Sequence, residues 1–87
     1  MPRISSFYGI TIAMYWDERD HHVPHFHAEY GGQVASVALD GSIIAGALAP
    51  RARRLVREWA RLHEAELLRN WRRARHQRPL DSIAPLP

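Results

Sequence analysis

Eighty-seven residues make one domain at most, because a chain this short cannot divide into two separate cores. It has no cysteine, which excludes a disulfide framework and any thiolate nucleophile or ligand. No apolar run approaches the ~20 residues that span a bilayer, and Met1 to Phe7 lacks the charged-then-apolar pattern of a secretory leader. The expectation is a cytoplasmic protein without membrane contact. The net charge of +3 hides an asymmetry. Residues 1–50 carry two arginines and five carboxylates, whereas residues 51–87 carry ten arginines and four carboxylates. All twelve basic residues are arginine, a bias that a GC-rich genome produces as readily as a need for guanidinium–phosphate chemistry.

From Ile10 to Trp16 apolar residues alternate, with Ile10, Ile12, Met14 and Trp16 on one side and Thr11, Ala13 and Tyr15 on the other, which predicts a strand. The polar stretch from Asp17 to Pro24 reads as a loop, and Pro24 biases Val23 toward extended geometry. His25 to Tyr30 alternates again, with Phe26, Ala28 and Tyr30 opposite His25, His27 and Glu29. Gly31-Gly32 supplies a two-residue hairpin, Gln33 to Leu39 a third strand, Asp40-Gly41 a second hairpin of the same kind, and Ser42 to Ala45 a short fourth strand. Pro50 suits the first position of a helix. From there to about Arg75 the residues Leu55, Val56, Trp59, Leu62, Leu67, Trp71 and Ala74 follow helical spacing. The stripe slips between Leu62 and Leu67, so one long helix and two helices kinked near His63 both fit. Residues 1–78 form one domain, and the proline-rich tail 79–87 reads as extended or frayed. The expected class is α+β: a small antiparallel meander of three to four strands with one long or kinked C-terminal helix packed on one face. The opposite face, with Tyr15, His25, His27 and Glu29, is left open to solvent or to a partner.

His25 and His27 stand two apart on a strand, so both imidazoles project from one face about 6–7 Å apart at their Cα atoms. Two such rings can converge on one ion, with His22 as a third ligand and Glu29 as a ligand or ring orienter. Three imidazoles suit zinc or another first-row divalent ion. The same residues serve two other readings. His25, His27 and Glu29 can act as metal-free acid and base in RNA cleavage, or the cluster can be a structural or interface network. On the helix, Arg54, Arg57 and Arg61 share a face. They form a phosphate-binding stripe or a solvated face in which Arg54 pairs with Glu58 and Glu66 with Arg69. Trp59 and Trp71 fit the core better than a stacking role, and Tyr15 on the open sheet face is the better platform for a base.

The opening Pro2-Arg3-Ile4-Ser5 with Phe7-Tyr8-Gly9-Ile10, the run from His22-Val23-Pro24-His25-Phe26-His27 through Ala28-Glu29-Tyr30-Gly31, and the later Arg51-Ala52, Leu55-Val56, Glu58-Trp59, His63, Glu66-Leu67 and Asn70-Trp71 resemble the bacterial family called domain of unknown function 4160. The resemblance spans nearly the whole chain. It implies a small prokaryotic protein, often encoded beside a companion of the domain of unknown function 2442 type, in an arrangement like a toxin–antitoxin pair. Carried over, it marks His22, His25, His27 and Glu29 as the candidate site, with His63 and Asn70 as helix-borne additions; the doublet His21-His22 departs from the pattern. Two functions are then in play. One is a toxin–antitoxin component acting on or binding nucleic acid, in the extreme a ribonuclease or metal-dependent hydrolase. The other is a non-enzymatic interaction or metal-binding module, pairing through the open sheet face with a partner or a second copy.

Overall fold

The alternation of buried and exposed residues builds a five-stranded antiparallel sheet in a computed structural model that describes residues 3–15 and 23–87. The strands β1 (Arg3–Phe7), β2 (Ile10–Ala13), β3 (His25–Tyr30), β4 (Gln33–Ala38) and β5 (Ile43–Gly46) lie side by side in chain order. Two helices follow, α1 (Pro50–Leu62) and α2 (Glu64–Arg75).

The class is α+β as expected, but with five strands rather than three or four and two helices rather than one. The additional strand is β1. It escapes a period-two reading because the register shifts between Arg3 and Ser5, which breaks the alternation. Its connection to β2 is also unusual, since both turn residues, Tyr8 and Gly9, have positive φ, 51° and 79°. Gly31-Gly32 forms the expected positive-φ hairpin. The Asp40-Gly41 turn differs from the expected two-residue form. The Gly41 amide donates to the Ala38 carbonyl and the Ala38 amide to the Ser42 carbonyl, which makes a three-residue loop with Gly41 in the positive-φ position. The helix breaks at His63, where the apolar stripe slips.

Ile10, Ile12, Met14, Phe26, Ala28, Ala35 and Val37 are buried on the covered sheet face. Trp59 of α1 sits over them, its ring 5.4 Å from Phe7 and 5.6 Å from Phe26. Ala52 and Val56 of α1 and Leu67, Trp71 and Ala74 of α2 complete the layer. Both tryptophans are therefore core residues, while Trp16 lies outside the described residues.

The segment from Pro79 is extended but not frayed. Ile83 is buried in the core, and its amide donates to the Ile4 carbonyl at 2.8 Å. The Trp59 indole N–H donates to the Ala84 carbonyl at 2.8 Å, and the Tyr8 hydroxyl to the Pro87 backbone oxygen at 2.8 Å. Proline supplies no amide to a strand ladder, so among the described residues the tail is held mainly by bonds to side chains, with one backbone bond to β1. Among the described residues no helix is long and apolar enough to cross a membrane.

Candidate functional site

His25 opens β3 directly after Pro24, at the end of the sheet where β2 and β4 also finish. Its side chain is only 1% exposed. Nδ1 lies 2.9 Å from the Val23 carbonyl. A carbonyl only accepts, so Nδ1 carries the proton and the neutral ring has its lone pair at Nε2. The Trp71 ring, reaching in from α2, lies 5.2 Å away on one side of the imidazole. His27 lies 5.3 Å away, its plane turned by 75°.

His27 is half-buried and pairs with Ala13 across the β2–β3 ladder. The Tyr15 ring meets it edge-on at 4.7 Å. Four rings therefore run in sequence from Tyr15 through His27 and His25 to Trp71. Glu29, the next residue on that face, is exposed and stands between Thr11 and Val34. His22 lies outside the described residues, and among those described no three His, Asp or Glu side chains group as an ion would need.

The helix-borne candidates are engaged elsewhere. His63 Nδ1 donates to Glu66 Oε1 at 2.7 Å, with its ring 5.6 Å from Trp59. Asn70 is buried, and its amide closes a two-way pair with the Asp81 backbone: Nδ2 donates to the carbonyl at 2.8 Å and Oδ1 accepts from the amide at 3.0 Å. Arg73 adds an ion pair to the Asp81 carboxylate. These contacts anchor the tail.

Arg54, Arg57 and Arg61 are all exposed on α1. Helix α1 covers the Phe26 face of the sheet, whereas His27, Tyr15 and Glu29 belong to the other face, so the sheet stands between the arginines and these three residues. The expected pairs Arg54–Glu58 and Arg69–Glu66 do not form among the described residues; Glu66 is bonded to His63 instead. Where α1 approaches the β4–β5 turn, Gly41 is pressed against Arg57, and a Cβ at Gly41 would lie 2.8 Å from the Arg57 Cα. The neighbouring Asp40 accepts the Ser42 amide at 2.8 Å. That bond, the Ser42 hydroxyl and the more distant Arg57 guanidinium hold its carboxyl below the ordinary value.

Trp71, which walls His25, fits the core better than a stacking role by its helical spacing, and that spacing gives no sign of its contact with a histidine. The Val23 carbonyl has no sequence signature beyond the proline that follows.

A five-stranded meander under two helices, with a ring cluster at one end of the sheet, defines a small α+β protein with two neighbouring histidines on its central strand. The chain belongs to the family described as domain of unknown function (DUF4160), whose sequence model matches residues 9–72. No curated protein and no solved structure matches it.

Proposed function

We propose that the protein is a metal-binding module in which His25 and His27 supply two ligands to zinc or another first-row divalent ion. The observation that carries this reading is the relation of the two rings. An ion ~2.0–2.1 Å from each imidazole nitrogen lies about 3.2 Å from each ring centroid, so two tetrahedral ligands hold their centroids about 5.2 Å apart. The observed separation of 5.3 Å matches that value, as it also matches ordinary edge-to-face packing of two rings. The Nδ1–H of His25 bonds to a backbone carbonyl, the kind of bond that fixes the tautomer and orientation of a ligating imidazole. Burial of His25 also argues for a ligand over a general acid or base, because a substrate phosphodiester has to touch the group that moves its proton. A ribonuclease using His27 together with Arg54 and Arg57 would need one RNA to bend around the sheet to reach both.

The test is the metal content of protein purified without a histidine tag, beside a His25→Ala, His27→Ala variant. A near-stoichiometric divalent ion in the parent and none in the variant is the expected result. Metal-free parent protein that gains no thermal stability from added zinc would overturn the proposal and leave the two rings as packed core.

A further inference from the structure

Arg54 is shared by two grooves that flank the first half of α1. On one side it joins Tyr8, Arg51 and Leu55 around a groove of about 540 Å³, inside the roughly 300–1,000 Å³ range of ligand pockets. On the other it joins Arg53 and Arg57 beside the β4–β5 turn. All four guanidinium groups are on exposed residues, and among the described residues none makes an ion pair. Glu58 and the C-terminal Pro87 line the first groove and Asp40 acts on Arg57 from a distance, which leaves four cations against three carboxylates.

Tyr8 supplies the second observation. It occupies the β1–β2 turn at a φ of 51° and is 51% exposed. A left-handed backbone costs an L-residue about 1–2 kcal/mol, and such turns favour Asn or Gly at this position. Turn geometry therefore gives no reason for an aromatic residue there. Its hydroxyl is bonded to the Pro87 backbone oxygen, which fixes the ring beside Arg51 and Arg54 instead of leaving it to rotate.

We infer that this face of α1, with Tyr8, binds single-stranded nucleic acid. The arginines take consecutive phosphates and the Tyr8 ring receives an unpaired base. A guanidinium fork matches phosphate geometry, and every base offers a π-face to an aromatic ring, so recognition is largely independent of sequence. A duplex keeps its bases stacked and has none to give. The site is separate from the histidine end and does not depend on an ion there. It includes Arg54 and Arg57 from the helical stripe, adds Arg51 and Arg53, and uses Tyr8 rather than Tyr15.

The test is fluorescence anisotropy with a labelled oligouridine RNA of about 12 nucleotides, a length within single-strand site sizes. Binding should weaken with salt, with a log–log slope near −3 for about four phosphate contacts. Arg51→Gln with Arg54→Gln should lower affinity at least tenfold and Tyr8→Asn about tenfold, while Tyr8→Phe, which keeps the ring but not the bond that fixes it, should fall between Tyr8→Asn and the parent. Circular dichroism and thermal midpoints confirm that each variant is folded. Absence of binding at low salt, binding unchanged by Tyr8→Asn, or equal binding of an RNA duplex or of polyglutamate would each overturn the proposal.

Discussion

The histidine end of the sheet and the arginine face of α1 are both conspicuous in the sequence, yet they are built in opposite ways. His25 lies among rings, hydrogen-bonded to the Val23 carbonyl and walled by Trp71. The arginines of α1 stand on the surface of the other layer without ion-pair partners among the described residues. Interior polar groups are costly to leave unsatisfied, so their positions are over-determined by packing. Surface guanidiniums are cheap to leave hydrated, and their arrangement is free to follow a ligand. A histidine cluster of this kind is thus part of the fold, whereas the arginine stripe is added to it.

Variants on the two sides should separate along that line. The largest effect is expected for Trp71→Ala, which removes a core indole and one wall of His25. Such truncations cost about 3–5 kcal/mol, a large share of the 5–15 kcal/mol typical of a small domain. Urea unfolding should show a midpoint shift of that size, and the same variant should lose any metal bound by the parent. A shift below about 1 kcal/mol would mean that the histidine end is not integral to the core. Arg54→Gln, by contrast, belongs to the surface class that changes stability by less than about 0.5 kcal/mol.

Gly41→Ala tests the point where the arginine helix is itself tied down. Gly41 combines a φ of 95° with close approach to the Arg57 backbone, so a methyl group must displace α1 or the turn. We expect a loss of about 1–3 kcal/mol, read in the same unfolding experiment, together with weakened RNA binding because Arg57 moves. The smallest effect is electrostatic. The Asp40 carboxyl is held below its ordinary value, so its contribution to stability is present above the unfolded value of ~3.9 and fades as pH falls through the lower folded value. Asp40→Asn should therefore lower the thermal midpoint slightly at neutral pH, with the difference vanishing in strong acid. A difference that grows on acidification would contradict the assigned cause.

How much of this was legible depended on whether the decisive contact was local. The β3–β4 hairpin was readable because alternation and Gly31-Gly32 agree. The helix break at His63 left its trace in the slipped apolar stripe. Strand β1 was hidden by its bulge and by a turn built on Tyr8 rather than on a turn-forming residue. His25 and His27 are equivalent by spacing, yet His25 is buried against the distant Trp71 and His27 is half-exposed. The same holds for Tyr8 and Tyr15: both are aromatic residues near the start of the chain, but the helix layer brings only Tyr8 beside the arginines. Asn70 gave no sign that its amide would grip Asp81, because that pairing depends on where the tail returns.

The return of the tail to Ile4 also bears on assembly. With the Ile83 amide bonded to the Ile4 carbonyl, part of the β1 margin of the sheet is already taken by the tail, and among the described residues β5 is the more open strand edge. A sheet whose two margins differ in this way adds a neighbour more readily on one side than on the other. Pairing through β5 would give two copies sharing one continuous sheet, and the tail bonded to β1 works against the open-ended stacking that turns exposed edges into fibres.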